Sequence, residues 1–539
     1  MLPHASNYDD LVRRFRWQIP DRFNIADAAC DVWAAREPER IAILHRRPDG
    51  SVEDISYGEL RARSNRFANV LKAAGIERGD RVALLLPQCP ETAIAHLAVY
   101  KLGAVAVPLA TLFGIDALEY RLSDSGAKAL VTGEAGLAKV ARFETRPEDL
   151  SAIYSIDPVE GQEAVDFHAA CDAAPETFTP EETGPDDPAL IIYTSGTTGP
   201  AKGALHGHRV LLGHLPGVEM PHEFLPQDGD VMWTPADWAW AGGLLNVLLP
   251  ALFHGVPVVA CRFEKFDPEL AFSLIAEFGV RNAFIPPTAL RMMRRVPDPR
   301  RRWNLSLRTI GSGGEALGRE VYDWARETLG LTVNEFYGQT EANLVLSSCA
   351  AIGVSRPGAI GKPVPGHEVA IIDEDGNVLG PGETGQIAVR RPDPVMFLEY
   401  WGRPEATEAK FVGDWMKTGD QGVVDADGYF SFVGRDDDVI TSAGYRIGPG
   451  EIEDCLISHP AVALAAAVGK PDPVRTEIVK AFIVPREGVV PSDELVADIQ
   501  AFVRDRLAAH EYPREIAFLE ELPLTTTGKV IRRLLRERD

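Results

Sequence analysis

Positive charge is in short supply in this chain. Lys and Arg number 55 against 79 Asp and Glu, a formal net charge of −24. The basic face that a nucleic-acid binder presents is therefore missing, and no nucleic-acid partner is expected. Closely spaced cysteines are missing too. The six (Cys30, Cys89, Cys171, Cys261, Cys349 and Cys455) lie far apart with no Cys-x-x-Cys pair, which argues against a zinc site or a disulfide framework and fits a reducing cytoplasm. Long apolar runs are also absent. The most hydrophobic stretch, Leu244 to Ala260, is interrupted by Asn246, Pro250, His254 and Pro257, so it reads as a buried helix followed by a strand, and no integral membrane association is expected. The first residues carry Asp9 and Asp10 and lack the basic-then-apolar order of a signal peptide. No internal repeat or low-complexity tract is visible.

What is present is ordinary globular material, 45% hydrophobic and 25% charged over 539 residues, long enough for two or more domains. Asp80 to Leu86 reads as a buried strand, Glu91 to Lys101 as a helix and Ala104 to Leu109 as the next strand, which is α/β wiring. Residues 144–188, rich in Pro, Glu and Asp, read as surface loops. A second α/β unit with strands at Val256–Ala260, Asn282–Ile285 and Leu307–Ile310 runs to about Glu335. From about Gly366 the character turns to antiparallel β, with hairpin signals at Asp375-Gly376 and Asp427-Gly428. A smaller unit follows Gly434-Arg435, where Ser492 is placed to cap a helix whose apolar face is Leu495, Ile499, Phe502 and Leu507.

The segment with the clearest chemistry follows the apolar run Ala189–Ile192. Tyr193-Thr194-Ser195-Gly196-Thr197-Thr198-Gly199-Pro200-Ala201-Lys202-Gly203 gathers hydroxyls, glycines and a lysine into one short stretch. Glycines let backbone N–H groups converge on a phosphate, hydroxyls add donors, and the Lys202 ammonium adds charge. A flexible linker has similar composition. It is not a Walker A loop, since no Gly-Lys-Ser/Thr closes it. Gly311-Ser312-Gly313-Gly314-Glu315-Ala316 satisfies a loose dinucleotide pattern, but it is short and lies deep in the chain.

The phosphate segment resembles, nearly residue for residue, the phosphate loop of the adenylate-forming enzymes, the superfamily of acyl-CoA synthetases, luciferases and peptide-synthetase adenylation domains. Further motifs follow in that family's order. Tyr337-Gly338-Gln339-Thr340-Glu341 resembles a motif whose threonine contacts the α-phosphate and whose glutamate holds Mg²⁺. With the preceding Glu335 and Phe336, and with Gly314-Glu315 as the adenine loop, it is assigned to ATP. Thr418-Gly419-Asp420 is similar to the motif whose aspartate accepts bonds from the ribose hydroxyls. Gly434-Arg435-Asp436-Asp437-Asp438 resembles the hinge, with Arg435 on the ribose and Asp437 as pivot. Ser442-Ala443-Gly444-Tyr445-Arg446 is similar to the loop that lines the pantetheine tunnel, and Arg475, Arg504 and Tyr512 are candidate contacts for the nucleotide end of CoA. Lys529 matches the lysine that stabilises charge developing during adenylation.

This resemblance implies an α/β fold with a large N-terminal domain (1–436) of α/β sheets plus a β-barrel-like unit, and a small mobile α+β C-terminal domain (437–539). It implies ATP, CoA and a carboxylic acid as substrates and Mg²⁺ as cofactor, and it makes Lys529 a candidate for regulatory acetylation. A homo-oligomer is left open. The likeness extends to acetyl-CoA and medium-chain acyl-CoA synthetases. Where acetate enzymes carry larger side chains, this chain has Ala241 and Gly242 after Trp240, together with Gly313 and Gly338, so a pocket longer than two carbons is expected for short-to-medium, branched or aromatic acids. An amino-acid-adenylating domain, with Asp237 meeting the ammonium, is the nearest alternative; no carrier domain follows residue 539 to receive its product. A catalytically idle relative would have lost a reacting part, yet Lys202, Thr340, Glu341, Asp420 and Lys529 are all present.

Overall fold

The computed structural model describes residues 1–158, 163–194, 200–435, 438–442, 445–472, 476–504, 506–507, 512–524 and 529–538. Two large sheets carry the α/β wiring. The first has nine strands in the order Lys362–Pro363, Ala342–Ser347, Val333–Gln339, Thr309–Gly313, Asn282–Phe284, Met232–Trp233, Val258–Cys261, Ile41–Arg46 and Val52–Ser56, parallel through its middle and antiparallel at both edges. The second has eight strands, with Arg81–Leu85, Val105–Pro108 and Ala127–Thr132 at its centre and the hairpin Pro188–Thr194/Lys202–Gly207 toward one edge. Their central strands are apolar runs buried on both faces, as parallel strands covered by helices must be. One cluster joins them: Ile43 and Val258 from the first sheet and Val82, Ala106 and Leu190 from the second share a core with Leu97 and Leu248.

Residues 144–188 depart from the loop expectation. Ala152–Ser155 and Val165–Asp166 extend the second sheet, and Phe167–Ala173 forms a helix whose Phe167 is buried against Phe67. Charged and proline-rich flanks hid these short elements, since an edge strand needs only one apolar face.

The third sheet, expected to be barrel-like, is open. Val369–Ile372, Thr384–Arg390, Trp415–Val424 and Phe411–Val412 follow one another, with Phe430–Arg435 pairing Trp415–Val424, and among the described residues no pairing closes the ring. Gly428, at φ +81°, turns the hairpin between the last two long strands.

The fourth sheet contains only residues from Ile440 onward: Tyr445–Ile447, Ile440–Ser442, Thr476–Pro485, Val462–Asp472 and Glu515–Phe518. Ser492 Oγ accepts from Leu495 N at 3.2 Å, capping the helix Asp493–Arg504 as expected. Ile499 and Val503 are its buried residues, with Leu495, Phe502 and Leu507 packed around them. The expected boundary at 436/437 lies outside the described residues. No helix among them is long and apolar enough to cross a membrane, and no disulfide joins any two of the six cysteines.

Candidate active site

Three strand connections converge on one small volume. The hairpin pairing Thr194 with Lys202 ends the second sheet's contribution; the intervening Ser195, Gly196, Thr197, Thr198 and Gly199 lie outside the described residues. Thr194 Oγ1 bonds the Lys202 carbonyl at 3.4 Å, and Lys202 Nζ stands 5.3 Å over the ring of Tyr400. In the first sheet, Val333–Gln339 and Ala342–Ser347 are joined through Thr340-Glu341, which puts a hydroxyl and a carboxylate at the tip of a two-residue turn. The Tyr400 hydroxyl donates to Glu341 Oε1, and burial, followed by that carboxylate, drives its own acidity down.

The third sheet brings the ribose candidates. Asp420 pairs with Arg435 across neighbouring strands, with Arg435 Nε 3.9 Å from Asp420 Oδ1. The Tyr337 hydroxyl donates to Asp420 Oδ2 at 2.6 Å. Burial pushes the Asp420 carboxyl up, and the Tyr337 bond, then Arg435, Lys410 and Lys529 pull it back. Lys529 therefore acts electrostatically on Asp420, although it is an exposed residue of the C-terminal unit and more than one hundred positions away. The helix Arg532–Arg536 that follows it is anchored: Arg532 reaches Glu453 at 2.8 Å and Asp438 at 3.3 Å, and Arg536 reaches Asp438 at 2.8 Å.

Lys410 is a site residue the sequence did not reveal. Its ammonium donates to Gln339 Oε1 at 2.9 Å and to the Thr418 carbonyl at 3.3 Å, and it stands 4.0 Å from Glu341 Oε1. Gln339 in turn donates to the Thr418 carbonyl at 2.9 Å. Burial holds the Lys410 ammonium below the ordinary lysine range, against the pull of Glu341 and Asp420. Tyr400 was missed for the same reason, since neither falls within a glycine-rich or acidic motif.

The adenine candidates lie beside this cluster. Gly314 adopts φ +92°, and Glu315 is held by Thr288 Oγ1 at 2.8 Å and Arg291 Nη1 at 3.2 Å. Burial raises the Glu335 carboxyl to about 7, the Leu317 backbone N–H lowers it, and nearby Asp454, on the helix Pro449–Ile457, raises it further.

At the expected acyl pocket, Trp240 meets Phe113 edge-on at 5.5 Å, and Ala241 opens the short helix Ala241–Gly243. The glycines do not simply leave space. A Cβ at Gly242 would stand 2.8 Å from Phe284 Cε1, one at Gly313 would stand 2.5 Å from Phe336 Cδ2, and one at Gly338 would stand 2.2 Å from the Leu344 nitrogen. Phe284 and Phe336, with centroids 5.2 Å apart, fill the volume the first two glycines vacate. Asp237, the candidate ammonium partner, accepts the Ala239 N–H at 3.0 Å, and burial raises its carboxyl to about 6.

Of the CoA candidates, Ser442 is buried and pairs with Tyr445 in a hairpin. Gly444 and Arg475, like the hinge Asp437, lie outside the described residues, and only the backbone of Tyr445 and Arg446 is described. Arg504 stacks on Tyr512 at 4.4 Å, and Arg514, missed by the sequence, does so at 5.0 Å.

A sequence profile of the AMP-binding enzyme family matches residues 30–401, and one of the AMP-binding enzyme C-terminal domain matches residues 451–529. The chain belongs to the AMP-binding enzyme family. Within that family it is 35% identical to the acetyl-coenzyme A synthetase of Bacillus subtilis (strain 168), covering 99% of this chain and 95% of the relative. It is likewise 35% identical to the mitochondrial acyl-coenzyme A synthetase ACSM4 of Homo sapiens, covering 98% and 93%. Among solved structures, the anthranilate CoA ligase AuaEII in complex with anthranoyl-AMP superposes with a TM-score of 0.88 at 29% identity, covering 96% of this chain and 98% of that one.

Proposed function

We propose that this chain is an AMP-forming carboxylate–CoA ligase acting on short-to-medium, branched or aromatic acids. In the first half-reaction a carboxylate oxygen bonds to the α-phosphorus of ATP and the bond to pyrophosphate breaks. In the second, the CoA sulfur, having lost its proton to solvent, attacks the acyl carbonyl and AMP leaves.

The observation that carries this reading is the cluster in which Tyr337 bonds Asp420 at 2.6 Å, Arg435 stands 3.9 Å from Asp420, and Lys410 stands 4.0 Å from Glu341. It gathers the residues assigned to the ribose and to magnesium in one place, and Lys529 of the C-terminal unit is assigned to the charge that develops in adenylation. Thr340 and Lys202 are assigned to the phosphates, Arg435 and Asp420 to the ribose, and Gly314, Glu315 and Glu335 to the adenine side. Glu341 suits Mg²⁺: it is a buried hard-oxygen donor with one oxygen engaged by Tyr400. No group of three or more His, Cys, Asp or Glu offers an all-protein site among the described residues. Magnesium on one carboxylate plus substrate phosphates is the usual arrangement, and the ion would neutralise triphosphate charge.

The small domain, which we place from Asp437 onward, turns about that residue after adenylation, withdraws Lys529 and presents the Gly444 loop with Arg475, Arg504 and Tyr512 to CoA. The exposed Lys529 is open to acetylation, which would delete its charge. The absence of a disulfide among the six cysteines suits a reducing cytoplasm.

Lys529→Ala tests the reading. Pyrophosphate exchange should fall by roughly 10²- to 10³-fold, as loss of a transition-state charge partner does, while thioester formation from supplied acyl-adenylate persists. Equal loss in both halves would reject two separate domain poses.

A further inference from the structure

The proposed acyl pocket carries one polar feature that a purely apolar acid would leave unused. Asn246 lies four residues after Gly242 on the continuous helical segment Ala241–Leu248 and so shares its face. Asn343 begins just beyond Glu341 in the strand Ala342–Ser347. The two residues are only 3% and 7% exposed, and Asn343 Nδ2 donates to Asn246 Oδ1 at 2.6 Å. Asn343 Oδ1 lies against Gly338, 2.7 Å from where a Cβ would stand. The amide pair thus bridges the two walls that the pocket glycines define. The hairpin is irregular at this point: its register shifts between Tyr337 and Gln339, and Leu344 takes the left-handed φ of +57°. Strained backbone of this kind concentrates at functional sites.

An amide has a donor end and an acceptor end, and the mutual bond uses one of each. One NH₂ and one carbonyl oxygen remain, and neither has a partner among the described residues. Reversing both amides leaves the same complement, so the count does not depend on their orientation. Buried polar groups ordinarily find a partner. Both atoms also retain access, unlike the sealed unpaired indole nitrogens of Trp233 and Trp238.

We propose that the Asn246–Asn343 pair binds a hydroxyl on the tail of the acid, so that the preferred substrates are hydroxy acids, aliphatic or aromatic. A hydroxyl donates to the free carbonyl and accepts from the free NH₂. Two neutral amides offer no counter-charge, so an ammonium or second carboxylate would be buried at a cost. Phe284 and Phe336 carry no hydrogen-bonding atom, and the Trp240 indole N–H is a donor only, so a carbonyl that accepts the hydroxyl's proton is supplied by the amide pair. This inference rests on the ligase reading above.

The test uses full-length enzyme, CoA-dependent AMP release and matched acids: benzoate against its 2-, 3- and 4-hydroxy isomers, and hexanoate against 6-hydroxyhexanoate. At least one hydroxylated acid should exceed its parent in kcat/KM by about tenfold or more, the value of one to two net hydrogen bonds. Asn246→Leu should lower that ratio about tenfold, with its melting curve recorded so that misfolding is recognised; the wild-type ratios decide on their own if it misfolds. The proposal is overturned if no hydroxylated acid exceeds its parent, or if a folded Asn246→Leu keeps the wild-type ratio. If the unsubstituted acids are inert as well, the ligase reading itself fails and this inference falls with it.

Discussion

The Tyr337 hydroxyl donates to Asp420 Oδ2 at 2.6 Å, joining a strand of the first sheet to one of the third across 83 positions of sequence. Asp420 is thereby kept closer to its ionised form, with Arg435, Lys410 and Lys529 acting in the same direction.

Tyr337→Phe removes that donor, and the Asp420 carboxyl should rise further. If Asp420 binds the ribose as an anion, KM for ATP should increase about 10- to 100-fold, the range for a hydrogen bond to a charged group. The acid limb of the pH profile should move to higher pH. An unchanged KM and acid limb would remove Asp420 from the nucleotide.

Lys410→Met deletes the ammonium that bonds Gln339 and Thr418 and faces Glu341 and Asp420. The two carboxylates lose a shared counter-charge, and the Thr340-Glu341 turn loses one of its ties to the third sheet, keeping the direct bond from Gln339 to Thr418. ATP affinity, measured by calorimetry with and without magnesium, should weaken about tenfold or more, since unpairing buried charge costs more than the pair's net value. Equal affinities for variant and wild type would make Lys410 a bystander.

Glu335 provides a pH signature of stability. Its folded-state carboxyl sits near 7 against an ordinary 4.5, so between those values the folded state binds the extra proton. Stability should therefore decline as pH rises through that window and level off above it. In Glu335→Gln the decline should be smaller, leaving the variant relatively more stable at pH 8 than at pH 4.5. Thermal melts across pH 4.5–8 measure this, with Asp237, near 6 in the fold against 3.8, contributing a second and separable component.

Phe284 and Gly242 should behave as a coupled pair. Gly242→Ala alone forces a methyl to within 2.8 Å of the Phe284 ring and should cost about 1–3 kcal/mol. Phe284→Ala should cost about 3–5 kcal/mol while moving the preferred chain length upward in a C2–C10 panel. In the double variant the clash is gone, so its loss should be smaller than the sum of the two single losses. Strict additivity would place the ring elsewhere in solution.

Much of the candidate site was legible because its motifs are local. Lys202, Thr340 and Glu341 lie at the hairpins 194/202 and 339/342, and Asp420 and Arg435 face each other on paired strands, each within a short motif. Tyr400 and Lys410 escaped notice because an isolated tyrosine or lysine carries no pattern. Tyr400 reaches Glu341 across 59 positions and Lys410 reaches Gln339 across 71. The proposed acyl pocket was half legible: the residues at 242 and 313 are small, but the Phe284 ring that occupies space beside Gly242 lies on a strand with no motif, and Phe336, beside Gly313, belongs to a motif read for ATP and not for the acid.

Which segments form strands, the buried apolar runs and the candidate residue types were set by the sequence alone, because period, glycine placement and side-chain chemistry act within a few positions. Which distant groups face one another was decided only in three dimensions. Burial in a shared low-dielectric volume couples charges and fills glycine vacancies, and both effects depend on distances that no local pattern encodes.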